Sequence, residues 1–167
     1  AIMKAVRGAE LGFQTLHVPS VSALSDEEIM DQLSKPSDLR LFLVYEALYR
    51  GKTVDELFEI TRIDRWFLYK LLKLVNYEQL IASYSISTED YIEGKKLGFT
   101  DSALISIASK NPANSSKLIK LCKQKPISPT YKMVDTCSGE FDATTPYFYA
   151  TYNSDLSGGE NEVCRIL

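Results

Sequence analysis

The fold of this chain is decided by the stretch Thr61-Arg62-Ile63-Asp64-Arg65-Trp66-Phe67-Leu68-Tyr69-Lys70-Leu71-Leu72, which contains the only tryptophan. The carboxylate of Asp64 can accept a hydrogen bond from the free amides of a first helical turn. Apolar residues then recur at helical spacing at positions 67, 71, 74 and 75. We therefore expect Trp66 and Phe67 to be core residues, with a cost of about 3–5 kcal/mol when either is truncated to alanine.

Composition limits the classes of protein to consider. The 167 residues are 45% hydrophobic and 25% charged, which is typical of one globular domain, alone or with a connecting segment. The formal net charge of −3 and the pI near 5.3 argue against a partner bound through its phosphates. The longest apolar run, residues 41–45, is far too short for a membrane span.

The chain termini and the cysteines suggest an intracellular segment of a longer polypeptide. The first residue is Ala1 rather than a methionine, and no signal peptide follows it. The three cysteines, Cys122, Cys137 and Cys164, lack the spacing of a metal site. We expect them to be reduced thiols.

Capping signals predict a series of short helices. Ser25 with Glu28 and Thr53 with Glu56 form capping boxes, and Ser37 can cap a further helix. The other start and stop signals are Asp64, Ser87 or Thr88, Thr100, Asn111-Pro112, Gly12, Gly51 and Gly98. Residues 13–24 are interpreted as a connection, and the lone His17 in it as a surface residue.

From Pro126 onwards the sequence predicts extended structure. Pro126 and Pro129 end the helical pattern, and β-branched and aromatic residues follow them. Residues 131–136 and 147–152 are predicted to be two extended segments. Residues 153–162, which include Gly158-Gly159, are typical of a linker.

The chain contains an internal repeat at an offset of 47 residues. The aligned pairs are Gly51 with Gly98, Thr53 with Thr100, Leu57 with Leu104, Asp64 with Asn111, and Leu71 with Leu118. A repeat stack usually needs three or more copies. We therefore predict a mainly α, two-lobed helical domain built from a duplicated helix-turn-helix-type unit, with two extended β segments near the C-terminus.

Two other functions are alternatives to a structural role. Residues 53–74 have the outline of a helix-turn-helix DNA-binding module, but aromatic residues occupy the positions that would need polar or basic side chains. Alternatively, Cys137 with Asp135 or Glu140 could form a small Cys-dependent enzyme, although a thiol nucleophile needs a base and His17 is far away in sequence.

Two motifs resemble one family. The stretch 61–68 resembles the T-x-I-D-[RK]-W-F-L signature of the carbamoyl-phosphate synthetase large chain, in its central oligomerisation (connection) domain. The runs Tyr131-Lys132-Met133-Val134-Asp135-Thr136-Cys137-Ser138-Gly139-Glu140-Phe141 and Tyr147-Phe148-Tyr149-Ala150-Thr151-Tyr152 are similar to Y-K-x-V-D-T-C-A-A-E-F and Y-x-Y-[ST]-T-Y of the same family. Ser138-Gly139 depart from the family's Ala-Ala.

The resemblance implies a function for the parent protein. That protein would be an ATP-dependent ligase that makes carbamoyl phosphate from bicarbonate, glutamine-derived ammonia and two ATP, with magnesium or manganese, for pyrimidine and arginine biosynthesis. Two ATP-grasp halves would do the chemistry, and this segment would hold no cofactor, metal or catalytic residue. Its partners would be those halves, a glutaminase subunit or domain and further copies of the chain, but neither nucleic acid nor a membrane.

The resemblance also implies a division of the chain. Residues 1–12 would be the exit helix from the preceding ATP-grasp half, and residues 153–167 a linker and the start of the following half. Residues 13–152 would be the oligomerisation domain, with lobes at about 37–82 and 87–125 and extended segments within 131–152. Its location would be cytoplasmic or, alternatively, the mitochondrial matrix.

Structural roles are expected for a defined set of motif residues. Asp64 and Arg65 should fix the turn before the tryptophan helix, and Trp66, Phe67 and Leu71 should hold the first lobe together. The strand pair should pack across that lobe or against an ATP-grasp half. Its motif residues are Asp135, Thr136, Glu140, Phe141, Tyr147, Tyr149 and Tyr152.

Overall fold

A computed structural model describes residues 2–124, 127–134, 140–141 and 147–152 of the chain. Within these ranges the protein is mainly helical, with nine helices and one two-stranded antiparallel sheet, which confirms the predicted fold class. The helices are α1 Ile2–Gly8, α2 Pro19–Ser22, α3 Asp26–Leu33, α4 Arg40–Tyr49, α5 Val54–Thr61, α6 Arg65–Ser83, α7 Thr88–Leu97, α8 Asp101–Ala108 and α9 Pro112–Gln124. The strands are β1 Thr130–Met133 and β2 Phe148–Thr151.

The capping residues start the helices where the sequence predicted. Ser25, Thr53 and Ser87 each form a reciprocal capping box with the acidic residue three positions later. The prediction for Ser37 was wrong, because α4 begins only at Arg40 and Leu39 precedes it without a side-chain cap. The Asp38 carboxylate instead accepts the Leu39 amide at 3.0 Å, which tightens the turn before the helix.

The internal repeat is confirmed by the order of the elements. Helices α4, α5 and α6 recur as α7, α8 and α9 at the predicted offset. Gly51 and Gly98 both take a positive φ, of 93° and 97°, at the end of the first helix of each copy. The paired Leu57 and Leu104 are both fully buried. Each copy is therefore one three-helix unit, called here the first repeat (α4–α6) and the second repeat (α7–α9).

One hydrophobic core extends through both repeats. Its centre is α4, in which every side chain from Phe42 to Leu48 is buried. The two repeats meet where Tyr77 of α6 lies against Gly94 of α7 and donates its hydroxyl to Asp90 O at 2.8 Å. A side chain at position 94 would collide with that phenol, so a glycine there permits the close approach of the two helices.

The segment before the first repeat contributes more to the core than the sequence suggested. Residues 13–24 are not a simple connection, because they include the short helix α2 and three buried side chains, Leu16, Val18 and Val21. These three residues are separated by polar residues and a proline and form no extended helical pattern, so the sequence did not predict their burial.

Both the first helix and the sheet contact the last turn of α7. Arg7 of α1 donates to Gly98 O at 3.0 Å. The ammonium of Lys95 lies 5.2 Å from the centre of the Tyr152 ring, just beyond β2. The strands pair from Thr130 opposite Thr151 to Met133 opposite Phe148, which confirms the two predicted extended segments. None of the helices in the described part of the chain is long and apolar enough to cross a membrane.

Candidate protein-binding surface

The turn between α5 and α6 is held by hydrogen bonds from three directions. The hydroxyl of buried Thr61 donates to Leu57 O at 2.6 Å and accepts the Ile63 amide at 3.2 Å. Arg62 takes a left-handed conformation with φ of 56°, which ends α5. The guanidinium of Arg40 donates to Thr61 O at 3.0 Å. The direction in which α6 leaves the turn is therefore fixed by the fold.

The first turn of α6 has the predicted cap. The Asp64 carboxylate accepts the amide of Trp66 at 2.7 Å. Arg65 spans the turn, because its Nε donates to Asp55 of α5 at 2.7 Å. Its guanidinium also lies 3.7 Å from the centre of the Phe58 ring. Arg65 thus ties the start of α6 to α5, and Asp64 caps the first turn of α6 itself.

The expectation that Trp66 and Phe67 are core residues was wrong. Trp66 is 59% exposed, Phe67 58% and Tyr69 56%, whereas the neighbouring Leu68 is fully buried. Leu71, which was also expected to hold the first lobe together, is buried. The buried face of α6 starts one residue later than predicted, so it leaves three large rings on the outside.

These rings form an ordered surface, called here the tryptophan surface (Trp66, Phe67 and Tyr69). Trp66 and Phe67 pack edge to face, with ring centres 4.9 Å apart and an interplanar angle of 87°. The ammonium of Lys70 lies 4.9 Å from the centre of the Trp66 ring. Monomeric proteins rarely expose several large apolar side chains together, and such patches mark contacts with other proteins.

The cations around the tryptophan surface are engaged within the chain. Arg62 lies 3.0 Å from Glu59 and Arg65 lies 2.7 Å from Asp55. These two pairs are exposed, so each adds little stability. Their geometry differs from that of a phosphate-binding helix start, at which free cations are needed. The absence of a nucleic-acid partner stays a prediction.

The sheet carries a second set of exposed aromatic side chains. All eight strand residues are exposed or half-exposed. The predicted motif residues Glu140, Phe141, Tyr147 and Tyr149 are also exposed, and Tyr152 is half-buried against Lys95. Asp135, Thr136 and Cys137 lie outside the described residues. A lone two-stranded sheet is only marginally stable in water, so these strands gain from packing on another surface.

A buried polar cluster escaped the sequence analysis. Glu46 of α4 is 4% exposed and accepts bonds from Ser22 Oγ at 3.0 Å and Arg50 Nε at 2.9 Å. His17, predicted to be a surface residue, is only half-exposed, and its Nδ1 lies 3.0 Å from Glu46 Oε2. The one sequence signal was the spacing of Glu46 and Arg50, which places them on the same face of a helix.

A second buried carboxyl lies in α6. Burial is the main cause that raises the pKa of Glu78 to about 7. The Tyr45 hydroxyl and Lys110 oppose this shift, and the nearby Glu46 carboxylate adds to it. Burial also raises the pKa of the Tyr45 phenol above its ordinary value. Both side chains are buried inside the first repeat.

The described residues contain no group of three or more His, Cys, Asp or Glu side chains that could hold a metal ion. Burial raises the pKa of the Cys122 thiol, which disfavours the reactive thiolate form. The Cys137 site lies outside the described residues, so the structure does not test it.

The helical fold and its exposed aromatic surface are typical of a module that binds other protein surfaces. Residues 1–123 match the family described as carbamoyl-phosphate synthetase large chain, oligomerisation domain. This match covers more than half of the chain, so the chain belongs to that family, as its motifs indicated.

Relatives from bacteria agree with the family assignment. A carbamoyl phosphate synthase large chain from Thermoanaerobacter sp. is 40% identical over 167 residues, which is 100% of this chain and 15% of that protein. A large chain from Caldanaerobacter subterraneus is 38% identical over 167 residues, which is again 100% of this chain and 15% of that protein. A large chain, N-terminal section, from Aquifex aeolicus is 39% identical over 152 residues, 91% of this chain and 27% of that protein. The chain thus spans less than a third of each of these relatives.

Proposed function

We propose that this segment is a non-catalytic connecting and oligomerisation domain within a carbamoyl-phosphate synthetase large chain. The observation that carries the proposal is the match of residues 1–123 to the oligomerisation domain of that large chain. The tryptophan surface, in which Trp66, Phe67 and Tyr69 are each more than half exposed, supports a role in binding protein surfaces. Tryptophan, tyrosine and arginine are the residue types that contribute most to binding between proteins. The start of α6 offers all three on a rigid helix.

The parent protein, on this proposal, makes carbamoyl phosphate from bicarbonate, glutamine-derived ammonia and two ATP in the cytoplasm. Its ATP and its magnesium or manganese bind to two ATP-grasp halves outside these residues, and a glutaminase supplies the ammonia. Support comes from the relatives, which are named as carbamoyl phosphate synthase large chains. The match covers 27% of the Aquifex relative, which is named an N-terminal section, and this supports a polypeptide longer than these residues.

The division of the chain belongs to the same proposal. Residues 1–12 lead out of the preceding half, residues 13–152 form the domain, and residues 153–167 lead into the following half. The polypeptide thus crosses from one reaction centre to the other through the two repeats. The exposed strands pack against one of the halves or against another subunit.

The experiment compares the intact large chain with the 167-residue segment. Carbamoyl phosphate formation is measured with ammonia, bicarbonate and Mg-ATP, and self-association is measured by sedimentation velocity over a range of concentrations. We expect turnover from the intact chain only, and association that increases with its concentration. Turnover by the segment would refute the non-catalytic role, and an intact chain that is monomeric throughout would refute the oligomerisation role.

A further inference from the structure

The two repeats differ at the position of Phe67, and the difference shows what such a position contacts. The equivalent residue of the second repeat is Asn114, which is 2% exposed. Its side-chain amide donates to Ile81 O at 3.1 Å and also to Tyr84 O. The start of α9 therefore rests on the C-terminal end of α6, a helix that precedes it in sequence.

The equivalent face of α6, around Phe67, has no helix end packed on it among the described residues. Helices α2 and α3 pack on α4, and α1 contacts the end of α7 through Arg7. In repeat proteins each unit contacts the unit next to it in sequence, and an end unit without a neighbour presents a polar face. The first repeat instead presents two aromatic rings at the place where the second repeat receives a helix end.

The area of the tryptophan surface favours a tethered partner. Three large aromatic side chains at these exposures offer on the order of 300–400 Å². A stable interface between free proteins needs about 800 Å² on each side. A segment of the same polypeptide needs less, because the tether gives it a high effective concentration. The relatives leave ample chain for this, since the match covers 15% of the Thermoanaerobacter protein.

The chemistry of the surface fits the end of a helix. A helix C-terminus carries free carbonyl groups and a partial negative charge. The indole N–H of exposed Trp66 is a hydrogen-bond donor for such a carbonyl. The ammonium of Lys70 lies at the margin of the surface, over the Trp66 ring. Because the rings already pack on each other, little side-chain entropy is lost on binding.

We propose that the tryptophan surface is the docking site for the C-terminal end of a helix in the part of the large chain that precedes residue 1. This inference rests on the proposed function, which places a longer polypeptide before residue 1. Contact with the preceding part follows from the second repeat, in which the equivalent face binds a helix that comes earlier in the sequence. The docking fixes the first repeat against its neighbour within one subunit.

Photocrosslinking of the intact large chain tests the proposal. The photoreactive amino acid p-benzoylphenylalanine is placed in the position of Tyr69, and in a second protein in the position of Tyr84, as the matched control. Tyr84 follows the same helix at its other end and is 71% exposed. Each protein is prepared as a mixture of isotopically light and heavy chains, so that mass spectrometry distinguishes crosslinks within a chain from crosslinks between chains.

We expect position 69 to crosslink within one chain to a peptide that precedes residue 1, with a yield at least fivefold above that from position 84. The substitutions Trp66→Ser and Phe67→Ser, both at exposed positions, should lower this yield at least fivefold while the circular dichroism spectrum of the protein stays unchanged. Three outcomes would each overturn the proposal. They are crosslinks found only between chains, crosslinks found only to peptides beyond residue 167, and a crosslink yield at position 69 no higher than that at position 84. Sedimentation reports subunit association separately, so either proposal can fail alone.

Discussion

The substitution Gly94→Ala examines the contact between the two repeats. A Cβ atom at position 94 would collide with the hydroxyl oxygen of Tyr77, and it would lie 2.8 Å from the Cζ of Tyr77 and 3.2 Å from Leu104 Cδ2. The two contacts with the phenol are far below van der Waals distance, so either the buried phenol must move or the two helices must separate. Movement of the phenol also disturbs its hydrogen bond to Asp90 O.

The expected loss of stability follows from three contributions. Overpacking of a core costs about 1–3 kcal/mol, and a disturbed buried hydrogen bond costs about 1–3 kcal/mol. The higher helix propensity of alanine offsets up to about 1 kcal/mol. We expect Gly94→Ala to lower the free energy of unfolding by about 2–4 kcal/mol, which is a fall in Tm of roughly 5–15 °C for a domain of this size.

The measurement is urea and thermal unfolding followed by circular dichroism. Gly8→Ala is the matched control, because no atom lies within 4 Å of the Cβ that it adds. It should be neutral or stabilise by up to about 1 kcal/mol. Tyr77→Phe removes the atom nearest to the new methyl group, so the double variant should lose less stability than the sum of the two single variants. A Gly94→Ala protein as stable as Gly8→Ala, or strict additivity in the double variant, would refute the reasoning.

Three further predictions address the faces of α6 and its interior. Trp66→Ala should change the free energy of unfolding of the isolated segment by no more than about 0.5 kcal/mol. The substitution of its buried neighbour, Leu68→Ala, should cost about 2–5 kcal/mol. Equal losses in chemical denaturation would contradict the observed orientation of the helix. Asn114→Ala should cost about 1–3 kcal/mol, because the carbonyl groups of Ile81 and Tyr84 lose their donor; a neutral result in the same assay would show that this contact does not join the repeats. The pKa of Glu78 is raised in the folded state from 4.5 to about 7, so its stabilising effect is complete below pH 4.5 and is lost as the pH rises through 7. Glu78→Gln should remove this slope, which is worth on the order of 3 kcal/mol at most, and an unchanged pH profile of denaturation would contradict the assignment.

Local signals in the sequence predicted most of the helix boundaries. A capping box is a contact between residues three positions apart, so Thr53 with Glu56 can be found without knowledge of the fold. The repeat offset similarly follows from matching glycines and leucines, and it gave the order of six helices. Both features can be found in the sequence without knowledge of the tertiary contacts.

The orientation of α6 could not be predicted, because four successive apolar or aromatic residues occupy positions 66–69. Helical periodicity accommodates a buried face that starts at Phe67 as well as one that starts at Leu68. Hydrophobicity also does not distinguish a core residue from one that binds a partner. The observed choice depends on distant residues such as Arg40, which anchors the turn before α6.

The meeting of α1 and the sheet at the last turn of α7 has a mechanical consequence. Arg7 grips the carbonyl of Gly98, and one helical turn away Lys95 covers the ring of Tyr152. Residues 7 and 152 therefore both contact the last turn of α7, although the two repeats separate them in sequence. Tension applied at residues 7 and 152 would therefore load this short turn before it reached the rest of the core.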